Sequence, residues 1–210
     1  MEKIYTEQTE RGKKAGVRCN GASNHSNVER ENNDFYATHP NITQVLIDYL
    51  KKEYPGFNCV WEPACGKGDI SKTLIKNGID TCSSDLIDRG FGQVQDFLSD
   101  DIKSTNFNII TNPPYKYAQE FVEKSMEILD EGKLCCMLLK LTFLEGNKRY
   151  EMFKKYPPKK ILVFSNRIQC AFGGDFEKYP ALGGAVAYAW YIWEKGYNGC
   201  PQLEWVKCKN

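Results

Sequence analysis

Asn106-Phe107-Asn108-Ile109-Ile110-Thr111-Asn112-Pro113-Pro114-Tyr115 is an apolar run closed by two prolines. Its first six residues read as a buried strand. Proline lacks the N–H that a central sheet requires, so the strand ends at Thr111. Asn112 precedes a proline and is pushed toward extended backbone. An amide, two rigid rings and a phenol are therefore left at the strand's carboxyl end. In open α/β sheets that edge is where ligands bind.

Strand and helix patterns alternate on either side of this stretch. Asn41 to Lys52 carries Ile42, Val45, Leu46 and Leu50 at helical spacing and stops at Pro55-Gly56. Asn58 to Trp61 reads as a strand. Gly66 and Gly68 follow it, and then a helix runs from Asp69 to Asn77. Ile79 to Ser83 is a second strand, ending at Asp85. Gln93 to Phe97 is a weak third, and Asn106 to Thr111 a fourth. Tyr117 to Leu129 is an amphipathic helix. Lys133 to Leu141 is a fifth strand, apolar enough to be buried on both faces. Lys148 to Tyr156 is a basic helix, and Ile161 to Phe164 and Ala185 to Trp193 are late strands. Residues 166–184 form a Gly-rich loop in place of a crossover helix, which favours an antiparallel last strand. The expected fold is α/β: a mostly parallel sheet, one antiparallel strand, helices on both faces.

The chain has 210 residues, enough for one domain, placed here over 34–210. Residues 1–33 are polar and Asn-rich and read as a flexible tail. Lys plus Arg is 28 and Asp plus Glu is 27, so the net charge selects no partner. Locally, eight basic residues between Lys140 and Arg167 face only Glu145 and Glu151. That stretch reads equally as a phosphate-facing surface, through residues such as Lys148, Arg149 and Arg167, or as a solvated helix and loop. Nine cysteines without a CxxC, and two histidines remote from them, argue against a disulfide scaffold or a metal site. No apolar run reaches membrane-spanning length, and a cytoplasmic protein is expected. Nothing in the sequence specifies an oligomeric state.

Four constellations carry chemistry. Trp61-Glu62-Pro63-Ala64-Cys65-Gly66-Lys67-Gly68-Asp69 is a strand–glycine loop–helix junction where backbone can approach a ligand closely. It is not a P-loop, because GxxxxGK followed by Ser or Thr is absent, and not a full GxGxxG, because residue 71 is Ser. Cys65 reads as a small packing residue. Asp85, after the second strand, is placed to accept ribose hydroxyls. Asp96 is suited to an adenine amino group, with Phe97 either packed on the adenine or in the core. The fourth is Asn112 to Tyr115. An amine conjugated to a π system is a poor nucleophile. Two acceptors on its N–H bonds, the Asn112 side chain and the Pro113 carbonyl, draw the nitrogen toward tetrahedral geometry and localise its lone pair. Such contacts strengthen as positive charge develops. Tyr115 offers a ring for stacking on a base.

These residues resemble S-adenosylmethionine-dependent amino-methyltransferases, especially the N6-adenine DNA methyltransferases, from Asp34 to about Trp193. Glu62-Pro63-Ala64-Cys65-Gly66-x-Gly68 is similar to the family's cofactor loop, Asp85 to its ribose acid, Asp96-Phe97 to its adenine contact, and Asn112 to Tyr115 to its catalytic string. Asp34 to Pro40 resembles the family's upstream Tyr-x-Thr-Pro segment, with His39 interposed. The resemblance implies a seven-stranded Rossmann-like sheet and S-adenosylmethionine as cofactor. It implies cofactor contacts from Thr38, Pro40, Glu62, Pro63, Ala64, Gly66, Gly68, Asp85, Leu86, Asp96, Phe97 and Asn112. It also implies catalysis by Asn112, Pro113, Pro114 and Tyr115 on an adenine flipped out of DNA. The order, cofactor loop before catalytic string, is that of the gamma-type members, and the small layout resembles phage and prophage enzymes. The same string occurs in RNA-adenine and protein-glutamine methyltransferases, and a catalytically silent binding protein is a further alternative.

Overall fold

The structure, a computed structural model, describes residues 35–209. The tail expected over 1–33 lies outside them, as does Asp34. The elements run β1 (Tyr36–Ala37), α1 (Pro40–Glu53), β2 (Val60–Glu62), α2 (Asp69–Lys76), β3 (Thr81–Asp85), β4 (Gln93–Val94) and β5 (Asn108–Thr111). They continue α3 (Ala118–Ile128), β6 (Leu134–Lys140), α4 (Asn147–Lys155), β7 (Lys160–Phe164), β8 (Ala171–Phe172), β9 (Tyr188–Glu194) and β10 (Gln202–Val206).

Side-chain alternation along the central strands builds two cores, one on each face of the sheet. On one face Ile110, Leu134, Cys136, Leu138, Trp190 and Ile192 meet Ile42, Leu46, Ile47 and Leu50 of α1 and Ile70 and Leu74 of α2. On the other, Ile109, Cys135, Met137, Leu139, Tyr191 and Trp193 meet Phe121, Val122 and Met126 of α3 and Met152 of α4. Strands covered on both sides need no polar face, which is why β6 and β9 are almost wholly apolar. Two indoles secure these faces to their helices. The Trp190 Nε1–H donates to the Ile42 carbonyl at 3.0 Å, and the Trp193 Nε1–H to the Tyr156 carbonyl at 3.0 Å.

The sheet order is β10-β7-β9-β6-β5-β2-β3-β4. All neighbours are parallel except β9, which is antiparallel to both β6 and β7. The expected antiparallel strand is therefore present. The main sheet has eight strands, however, and seven were expected. The eighth, β10, pairs parallel with β7 along the outer edge. A second ladder was also missed: β1 and β8 pair antiparallel, Tyr36 with Phe172 and Ala37 with Ala171. It draws the Gly-rich 166–184 segment onto the residues before α1. Among the described residues, no helix is long and apolar enough to cross a membrane.

Chain direction reverses between β2 and β5. From β2 the chain moves outward through β3 and β4, and from β5 it moves outward the other way through β6. The carboxyl ends of β2 and β5 thus flank the topological switch point, the crevice where α/β sheets bind ligands. Asn108 locks these two strands at their amino ends. Its Nδ2 donates to the carbonyls of Asn58 (3.0 Å) and Cys59 (3.3 Å), and its Oδ1 accepts from the Leu134 N–H at 2.9 Å. Cys59 has a left-handed φ of 53°, and its carbonyl also accepts the Asn108 backbone N–H at 3.0 Å. Asn108→Leu strips the buried Leu134 N–H of its partner and is expected to cost about 2 kcal/mol, a fall in Tm of roughly 4–8 °C. Thermal unfolding followed by circular dichroism checks this.

Candidate active site

Two loops meet at the switch point. The first leaves β2 as Pro63-Ala64-Cys65-Gly66-Lys67-Gly68 and enters α2. Gly66 (φ 55°) and Gly68 (φ 81°) both have left-handed backbone. Two rings lie against them. A Cβ at Gly66 would sit 2.1 Å from the Phe35 ring, and one at Gly68 would sit 2.4 Å from the Phe91 ring. The glycines therefore provide the close approach the sequence suggested, and in this structure two phenyl rings make it. Phe35 also lies under the Arg89 guanidinium, 4.8 Å from the ring centre.

Asp85, at the end of β3, holds the turn from the side. Its Oδ2 accepts the Gly66 N–H at 2.8 Å, and its Oδ1 accepts the Ile87 N–H at 2.9 Å. Leu86 beside it is exposed. Cys65 is 4 % exposed, and burial, with Glu62 and Asp85 nearby, pushes its thiol up to about 12. It is a packing residue, as expected.

Glu62 points inward. Its carboxylate accepts from the Ser71 N–H at 2.8 Å and from the Ser71 hydroxyl, which in turn meets the Ser83 hydroxyl at 2.6 Å. Glu62 thereby fastens β2 to the first turns of α2. Burial raises its pKa well above the ordinary 4.5, the Ser71 bonds opposing and the Asp69 and Asp85 charges adding to the rise. The sign of the linkage follows. A carboxyl with a raised folded pKa stabilises below its unfolded pKa, and that contribution is lost as pH climbs toward the folded value. Glu62→Gln keeps the shape and cannot ionise. It is expected to flatten the decline of Tm with pH above about 4.5 without lowering Tm at neutral pH, as read by melts across the range.

The second loop is Asn112 to Tyr115, at the end of β5. The Asn112 Nδ2 donates to the Tyr36 carbonyl at 3.1 Å and to the Thr38 Oγ1 at 3.1 Å, with the Cys170 Sγ at 3.8 Å. The Asn112 Oδ1 is buried and has no hydrogen-bond partner among the described residues. Native structures leave few such atoms unpaired. After Asn112 the turn closes with the Tyr117 N–H donating to the Pro114 carbonyl at 2.8 Å, and among the described residues no N–H reaches the Pro113 carbonyl. Tyr115 does not present an open face. It stacks on Tyr36 (6.2 Å between centroids), leans on Tyr188 (6.1 Å), and carries the Lys140 ammonium 4.8 Å from its centre.

Thr38 is buried and Pro40 is the exposed first residue of α1, whose start is capped by the His39 Nδ1 accepting from the Asn41 N–H at 3.2 Å. Pro63 is buried and Ala64 half-buried behind the glycine turn. Asp96 is exposed and its Oδ1 accepts the Leu98 N–H at 2.9 Å.

Placement bears on three of the sequence readings. Phe97 is a core residue, 2 % exposed between Trp61 (5.2 Å) and Phe121 (4.9 Å), because β4 ends at Val94 and the chain dives under α3. Arg149 is engaged locally. Its Nε donates to the Phe143 carbonyl at 2.8 Å, its Nη2 reaches the Glu145 carbonyl, and its guanidinium lies over the Phe143 ring. The basic stretch does not form one phosphate-facing surface. Lys159 pairs with Glu194 (2.6 Å) and Lys160 with Glu204 (3.3 Å), both lysines at the amino end of β7. Lys140, Lys148 and Arg167 remain at the carboxyl edge, the last two exposed.

The sequence reading missed Phe35, Phe91, Cys170 and Tyr188 around the two loops. Only the β-like alternation of Phe35-Tyr36-Ala37-Thr38 gave a signal for any of them. A groove of about 910 Å³ lies elsewhere, along α4 and the 198–201 turn, and none of these residues lines it. Among the described residues no group of His, Cys, Asp and Glu could hold a metal ion.

No family profile and no curated protein matches the chain in sequence. Solved structures do match its fold. A protein described as a class I S-adenosylmethionine-dependent methyltransferase from Listeria monocytogenes superposes with a TM-score of 0.57 at 16 % identity, over 83 % of this chain and 66 % of that one. The M protein of the type I restriction enzyme EcoKI gives 0.54 at 16 %, over 83 % and 48 %. A protein described as an RNA methyltransferase from Pyrococcus horikoshii gives 0.54 at 14 %, over 76 % and 87 %. This chain thus spans slightly under two thirds of the Listeria protein and about half of the EcoKI subunit. The fold is that of the class I, Rossmann-like methyltransferases.

Proposed function

We propose that this chain transfers a methyl group from S-adenosylmethionine to the exocyclic N6 amine of adenine in DNA. The observation that carries the reading is the unpartnered Asn112 Oδ1 at the carboxyl end of β5. An acceptor left empty in a buried position costs stability unless a donor arrives to fill it. With the Pro113 carbonyl next to it, it offers two acceptors to one planar amino group. Both bonds strengthen as the nitrogen gains positive charge, so they favour the transition state over the ground state.

The other residues of the crevice suit such a cofactor. The glycine turn carries no side chains at the two positions where approach is closest, and Asp85 stands beside it with lone pairs to spare for ribose hydroxyls. When bound there, S-adenosylmethionine supplies an electrophilic methyl on a sulfonium. Phe35 lies on Gly66, so ligand entry requires this ring to shift. In this reading Glu62 and Phe97 support the crevice from behind, and the direct cofactor contacts fall to the glycine turn, Asp85 and Asp96. In this reading Lys148 and Arg167, exposed on the same edge, meet DNA phosphates, with Lys140 near Tyr115.

Incubation with methyl-labelled S-adenosylmethionine and equal amounts of duplex DNA, single-stranded DNA and folded RNA tests the substrate class. Label in DNA is expected. Label confined to RNA would replace DNA with RNA in the reading, and label in neither would refute it.

A further inference from the structure

The orientation of an asparagine amide is decided by its partners, because its two ends differ only in donating or accepting. At Asn112 the partners are unambiguous. The Tyr36 carbonyl can only accept, so the nitrogen must face it. The second hydrogen on that nitrogen goes to the Thr38 Oγ1, and Cys170 Sγ borders the same atom. Among the described residues every partner thus sits on the nitrogen, and none meets the oxygen. A flipped amide would set its oxygen against the Tyr36 carbonyl, acceptor against acceptor.

We infer that Thr38 is a positioning residue for catalysis: with the Tyr36 carbonyl it fixes the Asn112 amide so that its oxygen faces the substrate amine. This rests on the functional reading above and departs from the cofactor contact that the sequence resemblance implied for Thr38. The local fold is built for it. Tyr36 and Ala37 are held by pairing with Phe172 and Ala171, and His39 caps α1 immediately after Thr38. Thr38 is 2 % exposed and has no freedom to seek another partner in solvent. An amide held at both hydrogens meets the incoming amine without reorganising, the condition under which a fixed dipole contributes most to catalysis.

Thr38→Val keeps shape and burial and removes the acceptor; Thr38→Ser keeps the acceptor. With asparagine labelled with nitrogen-15, and the Asn112 signals assigned by their loss in Asn112→Ala, hydrogen exchange of the side-chain amide reads the bond without any turnover. In Thr38→Val one proton is expected to exchange about tenfold faster than in wild type and Thr38→Ser, the effect of losing one ordinary hydrogen bond. In kinetics, Thr38→Val is expected to lose about tenfold in kcat while S-adenosylmethionine affinity by calorimetry stays within about twofold, with Thr38→Ser close to wild type. Unchanged exchange in Thr38→Val would overturn the inference. So would a loss of cofactor affinity with kcat intact, since that marks a cofactor contact. If wild type neither binds the cofactor nor transfers methyl, the functional reading fails, and the exchange measurement still decides whether Thr38 orients the amide.

Discussion

Asn112→Ala is expected to lose methyl transfer by about 10²–10³-fold or more, the cost of removing one preorganised polar group from a developing charge. Cofactor binding should survive, because the glycine turn and Asp85 are held by their own bonds and not by Asn112. The fold should survive as well. The substitution releases the Tyr36 carbonyl and the Thr38 hydroxyl at the rim of the sheet and opens no hole in either core. Single-turnover kinetics with labelled cofactor, beside calorimetric titration of the cofactor alone, separates the two effects. Turnover near wild type would remove Asn112 from the mechanism. Loss of cofactor affinity equal to the loss of rate would make it a binding residue instead.

The largest effect on stability is expected at Trp190. This indole is fully buried at the centre of β9, and its N–H reaches the Ile42 carbonyl in α1. Trp190→Ala leaves a cavity in the core between the sheet and α1 and removes the indole's bond to the Ile42 carbonyl of that helix. About 3–5 kcal/mol should be lost, lowering Tm on the order of 10 °C or more. Trp190→Phe refills much of the volume but not the hydrogen bond, and should fall between the two. Similar melting temperatures for Ala and wild type would mean that this core is not packed as described.

The two site loops were legible for one reason. Each is punctuated by residues with singular backbone rules, glycine at Gly66 and Gly68 and proline after Asn112, directly behind a short apolar run. Such signals are local and survive in a single sequence. The central strands β5 and β6 were legible because burial on both faces excludes polar residues from them.

What failed was set by distance along the chain. Phe97 sits beside a carboxylate just as a ligand-stacking ring would, and only the packing of α3 against it shows that it is core. Arg149 carries a free charge in the sequence, but the 143–145 turn that captures it is made by tertiary folding. The β1–β8 ladder joins residues far apart in sequence, in strands of two residues each, too short for any periodicity. Strand β10 alternates visibly in Gln202-Leu203-Glu204-Trp205, but it follows a sheet that already seemed complete.

The central claim is that acceptors at the end of β5 activate a conjugated amine. The direct measurement is the atom that receives the methyl group. DNA methylated with labelled cofactor is digested to nucleosides, and the labelled nucleoside is identified by mass spectrometry. All label in N6-methyldeoxyadenosine is the expected result. Label on a ring carbon, on a hydroxyl oxygen, or in no nucleoside would contradict the account.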